Sequence, residues 1–290
     1  MRVLVYGSNG WIGSQFTEIL DNQNVPYTCG KSRLNEYDEL LKEIEGISPS
    51  HIVTLTGRTH GKIGDKVYST IDYLEQDDKL IENIRDNLFG PITLSNICKD
   101  KKIHLTYLGT GCIFKYEDNK KCFTESCSPN FYGSSYSVVK GFTDQLMKQF
   151  DKNVLNLRIR MPITNKYNKR NFITKITSYD KICSVPNSMT VLTELLPYVV
   201  KMMEKGLVGT LNFTNPGVIS HNEILEMYKE IVDPTFKYKN FTQEEQKKIL
   251  AADRSNNMLN TSLLEQMFPD ILNIKDSVRQ CLLEYKNSCV

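Results

Sequence analysis

An apolar run, Arg2-Val3-Leu4-Val5-Tyr6, leads directly into Gly7-Ser8-Asn9-Gly10-Trp11-Ile12-Gly13, and a helix-forming stretch from Trp11 to Leu20 follows. This order of strand, glycine turn and helix constrains the fold more than any other feature of the chain. In that context a G-x-x-G-x-x-G run reads as a cradle for a dinucleotide. Gly7 allows the tight turn, Gly10 lets backbone N–H groups approach a pyrophosphate, and Gly13 lets the helix pack closely on the sheet. The helix N-terminus favours the negative charge that arrives there. Taken alone, the same run also reads as a plain chain reversal at a strand end, so the rest of the chain has to decide.

Further along, strand-like and helix-like stretches alternate. Tyr27 to Gly30 reads as a second strand, Glu36 to Glu45 as a helix and His51 to Leu55 as a third strand. Asp72 to Asp100 reads as helical, His104 to Gly109 as a strand, Ser135 to Phe150 as a helix and Val154 to Arg160 as a strand. Such alternation argues an α/β fold with a doubly wound parallel sheet. After Pro162 the rhythm breaks into short helices, a strand at Thr210 to Phe213, and helices at Asn222 to Ile231 and Thr242 to Leu250. The expectation is a dinucleotide-binding domain over 1–162 and a smaller α/β substrate lobe over 163–290, interleaved with the first. The site belongs at the carboxyl ends of the strands.

With 290 residues the chain has material for a substantial core. Its net charge of +2 gives no reason to expect nucleic acid or an anionic membrane as partner. No apolar stretch approaches the roughly 20 residues a membrane span requires. The first strand begins at residue 2, which leaves no room for a signal peptide. Eight cysteines lie scattered without paired metal-ligand spacing, so they read as reduced thiols, no metal is expected, and the chain is placed in the cytosol.

Two hydroxyls and an ammonium define the candidate chemistry. Tyr136 and Lys140, in Tyr136-Ser137-Val138-Val139-Lys140, stand at i and i+4 and share one helical face. The lysine is expected to lower the tyrosine pKa toward neutrality and to hold a nicotinamide ribose. Tyr136 would donate a proton to a carbonyl oxygen as hydride arrives at its carbon, with Thr110 bonding the same oxygen. Cys112, two residues beyond Thr110, would face the same way along an extended segment. Spacing alone favours reading it as an inert buried thiol. At the end of the second strand, Cys29-Gly30-Lys31-Ser32-Arg33 offers no acid for a ribose hydroxyl but two cations for a 2′-phosphate, which points to NADPH. The alternative is that Lys31 and Arg33 are solvated loop charges.

The wide glycine spacing resembles the extended short-chain dehydrogenases/reductases, whose sheet is of the Rossmann type. Over its whole length the chain resembles the bifunctional 3,5-epimerase/4-reductases that make UDP-L-rhamnose. The matching text is Thr110-Gly111-Cys112-Ile113-Phe114, Arg158-Ile159-Arg160-Met161-Pro162-Ile163, Arg170-Asn171-Phe172-Ile173-Thr174-Lys175-Ile176 and Pro186-Asn187-Ser188-Met189-Thr190-Val191-Leu192. Asn212-Phe213-Thr214-Asn215-Pro216-Gly217, Ser220-His221-Asn222-Glu223 and Arg254-Ser255-Asn256-Asn257 continue it.

The resemblance implies an epimerase pair at Cys112 and Lys175, although Lys175 also reads as a surface lysine on the diphosphate. Cofactor contacts are implied at Thr56, Gly57, Arg58, Asn87 and Met161, with Asn87 supporting the lysine. Substrate contacts are implied at Thr110, Cys112, Asn171, Lys175, Pro186, Asn187, Met189, Thr190, Asn215 and Arg254. An NADPH-dependent enzyme acting on a UDP- or dTDP-4-keto-6-deoxy sugar is therefore expected, as a homodimer fed by a 4,6-dehydratase. The competing readings are a monofunctional dTDP-4-keto-rhamnose reductase and a non-catalytic NADP(H)-binding protein. Thr59 to Gln76 departs from the plant pattern, and no role is assigned to it.

Overall fold

Residues 3 to 6 form a strand because every side chain of the run is apolar enough to be buried on both faces of a sheet, the signature of a central parallel strand. The structure, a computed structural model, describes residues 1–118 and 122–288. Val3–Tyr6 is β1, buried throughout, and Trp11–Asn22 is α1. Then come β2 (Tyr27–Cys29), α2 (Tyr37–Ile47) and β3 (His51–Thr54). Two short strands, β4 (Gly61–Ile63) and β5 (Lys66–Tyr68), pair as an antiparallel hairpin. A 3-10 turn at Ile71–Glu75, α3 (Lys79–Ile84), a π-helical turn at Arg85–Phe89 and α4 (Gly90–Asp100) follow. The stretch read as one helix from Asp72 is thus a 3-10 turn and two helices joined by a π turn. β6 (His104–Thr110), α5 (Ser135–Met147), β7 (Val154–Ile159), α6 (Phe172–Thr177) and α7 (Leu192–Glu204) come next. The chain ends with β8 (Gly209–Asn212), α8 (His221–Ile231), α9 (Gln243–Lys247), α10 (Ser262–Met267) and α11 (Ile274–Ser288).

Six strands form one parallel sheet in the order β2-β1-β3-β6-β7-β8. Val3 lies opposite Tyr27 on one side and His51 on the other, and His51 lies opposite His104. The chain runs outward from β1 to β2 and then returns to β3, so the strand order reverses beside β1. The carboxyl ends at such a reversal are where doubly wound sheets bind ligands.

The chain divides into two compact units, each assembled from three separate stretches of sequence. The first comprises Met1–Ile113, Phe131–Arg158 and Leu196–Leu211; the second comprises Phe114–Asn130, Ile159–Leu195 and Asn212–Val290. In the first, Leu4, Tyr6, Ile52, Leu94, Leu105 and Tyr107 belong to one buried apolar cluster. A buried ion pair anchors α5 to β7 in that unit: Arg158 donates to both oxygens of Asp144 at 2.8 and 2.7 Å, and Asn156 donates to Asp144 at 2.9 Å. Stripping one partner from such a pair typically costs about 3–5 kcal/mol, so α5 has little freedom to shift. The second unit has its own core around Ile163, Ile173, Met189, Val191, Leu225 and Val278. There Ser220 and Glu223 close a reciprocal cap on α8. Among the described residues, no helix is long and apolar enough to cross a membrane.

Candidate active site

The glycine turn has the shape its sequence implies. Gly7 takes a φ of +82°, a conformation other residues adopt only with strain. A Cβ on Gly13 would lie 2.0 Å from the Gly7 carbonyl oxygen, so α1 starts hard against the strand end. Gly10 caps α1 with no side-chain hydrogen bond, and the first turn holds no acidic residue. The first-turn N–H groups of a twelve-residue helix are therefore not claimed by a side-chain cap, which fits a pyrophosphate. Ser8 is buried, Asn9 is exposed, and Trp11 and Ile12 are half-buried at the start of α1.

At the end of β2 the sequence reading missed an acid. Glu43, on α2, accepts from the backbone N–H of Lys31 at 2.8 Å, from that of Ser32 at 3.0 Å, and from the Tyr6 hydroxyl at 3.0 Å. Those bonds hold its carboxyl below the usual range against an opposing cost of burial. Gly30 is required beside it, since a Cβ there would meet the Tyr6 ring at 2.4 Å. Lys31 and Arg33 are exposed around this fixed turn. At the end of β3, Thr56 shares a 2.8 Å hydroxyl contact with Thr54.

Asn87 does something other than brace the lysine. Lying in the π turn, a feature common at functional sites, its side-chain oxygen accepts from the Arg58 N–H at 2.9 Å and its amide donates to the Arg58 carbonyl at 2.8 Å. It thereby clamps the backbone that carries Thr56, Gly57 and Arg58. The Arg58 guanidinium pairs with Glu82 and Asp86, each at 3.0 Å.

Thr110 ends β6, and Cys112 lies in a turn rather than along an extended strand, which corrects the basis on which the two were paired. The turn nevertheless brings them together: the Cys112 N–H donates to Thr110 Oγ1 at 3.0 Å, and the Cys112 carbonyl accepts from Ser137 Oγ at 2.7 Å. Ser134 caps α5 by accepting from the Ser137 N–H at 3.0 Å, and Glu75 accepts from the Ser135 N–H at 2.7 Å. The start of α5 is thus tied to the Thr110–Cys112 turn, and Tyr136 lies between the tethered residues.

The electrostatics of that helix face differ from expectation. Burial pushes the Tyr136 phenol well above its ordinary range; the nearby Cys112 adds to this, while a hydrogen bond from Thr110 opposes it. Lys140 does not lower it as expected; its ammonium donates to the Tyr107 hydroxyl. Burial lowers Lys140 to about 8, with Asp144 and Cys112 pulling it back up. Tyr107 is therefore a site residue that sequence spacing did not reveal.

The second unit holds the remaining candidates. Lys175, half-buried on α6, is lowered by burial first and then by the charges of Arg170 and Arg254. These three cations form a cluster suited to an anionic group. Arg254 donates to the Ala252 carbonyl at 2.9 Å, and the exposed Pro186 offers its carbonyl to the Tyr116 hydroxyl at 3.0 Å. Met161, directly before a proline, has a φ of +38°, unusual for a non-glycine residue.

Asn171, Asn187, Met189, Thr190 and Asn215 are completely buried. Asn171 caps α6 and donates to the Thr164 carbonyl at 2.8 Å. Asn187 accepts from Arg160 at 2.6 Å and from the Asn257 N–H at 2.9 Å. Thr190 donates to the Phe213 carbonyl at 2.9 Å, and Asn215 donates to Glu194 at 2.7 Å. Their side chains serve the scaffold rather than a substrate, a correction to the sequence reading.

Comparison with known proteins fits this arrangement. The chain is 50% identical over 290 residues to uncharacterized protein L780 of Acanthamoeba polyphaga mimivirus, covering 99% of each. The crystal structure of that virus's L780 UDP-rhamnose synthase superposes with a TM-score of 0.95, over 98% of this chain and 99% of that one. The chain belongs to the rhamnose-forming 3,5-epimerase/4-reductases. A bifunctional dTDP-4-dehydrorhamnose 3,5-epimerase/reductase of Arabidopsis thaliana is 43% identical, with 97% of this chain and 92% of that protein covered. The trifunctional Arabidopsis RHM1, which also carries a UDP-glucose 4,6-dehydratase, is 44% identical, but the chain spans only 41% of its length. The dTDP-4-dehydrorhamnose reductase of Bacillus anthracis, solved with NADP, shares the fold at a TM-score of 0.80 and 18% identity. No family model matches the chain.

Proposed function

We propose that this epimerase/reductase converts UDP-4-keto-6-deoxy-D-glucose to UDP-L-rhamnose with NADPH, inverting C3 and C5 before reducing C4. The observation that carries the reading is the shared placement of Thr110, Cys112, Tyr136 and Lys140 in one unit, where hydrogen bonds tie the Cys112 turn to Thr110 and to Ser137, the neighbour of Tyr136. A 4-keto sugar has acidic protons at C3 and C5. Loss of one leaves an enolate oxygen that Tyr136 and Thr110 stabilise by hydrogen bonding. Inversion needs proton exchange at a ring carbon from opposite faces, and we assign the thiol of Cys112 and the amine of Lys175 to it. Lys175 suits the task because burial and two arginines favour its neutral, proton-accepting form.

Reduction comes last, because it removes the ketone that acidifies the neighbouring protons. A bound nicotinamide cofactor supplies hydride at C4. Tyr136 delivers the proton to the C4 oxygen, and its raised pKa keeps it in the protonated, donor state at neutral pH. Thr110 steadies the phenolate that remains. The α1 N-terminus and Gly7–Gly13 would hold the pyrophosphate, and Lys140 the nicotinamide ribose. We further propose a cytosolic homodimer that receives its 4-keto substrate from a separate dehydratase.

Incubation with UDP-4-keto-6-deoxyglucose, its dTDP counterpart and NADPH tests the reading by product identification in deuterated water. Formation of UDP-rhamnose carrying deuterium at C3 and C5 is the expected result. Reduction without deuterium at either carbon would leave a plain reductase, and unchanged NADPH absorbance with both sugars would leave a binding protein. For the cofactor, Lys31 and Arg33 are proposed to read the 2′-phosphate. NADPH should bind more tightly than NADH, and Lys31→Ala with Arg33→Ala should narrow the gap by about tenfold, as loss of charge-assisted phosphate bonds implies. Equal dissociation constants in the unmodified protein would sink that assignment.

A further inference from the structure

An ammonium taken out of water needs a direct acceptor, or it gives up its proton. Lys140 is only 5% exposed, and the carboxylate nearest along its own helix, Asp144, has both oxygens engaged by Arg158 and Asn156. The lysine reaches across to β6 instead, where its Nζ donates to the Tyr107 hydroxyl. Nζ lies 4.6 Å from the Tyr107 ring centroid, on the hydroxyl side of the ring. Tyr107 is 1% exposed and belongs to the core cluster of its unit, so it is a rigid support. Tyr136, by contrast, is bonded to Thr110. Each group of the Tyr136–Lys140 pair therefore has its own partner on or beside β6.

We propose that Tyr107 is a positioning residue that holds the Lys140 ammonium charged and fixed beside the carboxyl end of β6. The inference rests on the proposed role of Lys140 in the reductase. Its consequence is that the lysine is set in place by a second phenol, one that never touches the sugar. The other ionisable groups facing this spot are Cys112 after β6, Tyr136 and Asp144 on α5, and Arg158 on β7, which neutralises Asp144. On the helices packed beside α5, Glu82 and Asp86 pair with Arg58, and Glu75 accepts from the N-terminal turn of α5.

The test is Tyr107→Phe, which keeps the ring and removes only the hydroxyl. Lys140 should titrate about one pH unit lower, so that at a given alkaline pH about tenfold more of it is neutral relative to charged. The measurement is side-chain 15N NMR of lysine-labelled protein without cofactor, with Lys140→Arg identifying the resonance. The alkaline limb of the reduction rate should move down by the same amount. An unchanged or raised Lys140 titration in folded Tyr107→Phe protein overturns the proposal. Should that variant fail to fold, an NOE between the Lys140 side chain and the Tyr107 ring in the unmodified protein decides, and its absence overturns the proposal. If the unmodified protein reduces neither sugar while the Lys140 titration moves as stated, the functional reading falls and the role of Tyr107 in holding Lys140 stands.

Discussion

Tyr136→Phe is expected to abolish reduction of the 4-keto group while NADPH still binds. The phenol is the proposed proton source for the C4 oxygen, and removing a positioned acid typically costs on the order of 10²–10⁴ in rate. The substitution keeps the ring, and the start of α5 stays fixed by Ser134, Ser137 and Glu75, so the cradle at Gly7–Gly13 has no reason to change. NADPH affinity measured by fluorescence should therefore stay close to that of the unmodified protein. Turnover within a factor of about ten of the original would refute the role, since it lies below the range for a lost general acid. Exchange at C3 and C5 should slow as well, because the same hydroxyl stabilises the enolate.

Cys112→Ala separates the two chemistries. Exchange of deuterium into C3 and C5 should fall by about 10²–10⁴, whereas hydride transfer to a pre-epimerised 4-keto-rhamnose donor should be retained. The structure makes this clean: the hydrogen bonds that bind residue 112 to Thr110 and Ser137 use its backbone N–H and carbonyl, which alanine keeps. Loss of exchange would then report the thiol and not a displaced turn. Unchanged exchange at both carbons would reduce Cys112 to a packing residue. Loss of both activities together with cofactor binding would make it structural.

The cradle and the Tyr136–Lys140 pair were legible in the sequence because both are local. Strand, glycine and helix follow one another within a few residues, and i,i+4 spacing places two side chains on one face wherever a helix forms. What those side chains touch was not legible. Lys140 meets Tyr107, 33 residues away, only because α5 packs over β6. Glu43 reaches the end of β2 from the second turn of α2, so a search for an acid within the strand passes over it. Asn171, Asn187 and Asn215 illustrate a different difficulty. A buried asparagine whose side chain makes three or four hydrogen bonds, as these do, is as necessary to the fold as one that holds a sugar is to a site, and a sequence match does not tell the two apart. The hairpin over Gly61–Tyr68 escaped because its strands are three residues each, too short for an alternating pattern to register.

The way the sheet is closed bears on how the protein can be made or divided. A nascent chain has released the whole cradle and the Tyr136–Lys140 turn once residue 140 has emerged. The strand next to β7, however, comes from residues 209–212, after the chain has entered the second unit and returned at Leu196. Until that strand is delivered, one side of β7 displays unpaired N–H and C=O groups, a template for unwanted pairing with another chain. Synthesis must therefore run almost three-quarters of its course before the cofactor-binding half is sealed. A fragment ending at 162 would leave that side of β7 open permanently, and one that also grafts 196–212 behind it would supply the strand that pairs there.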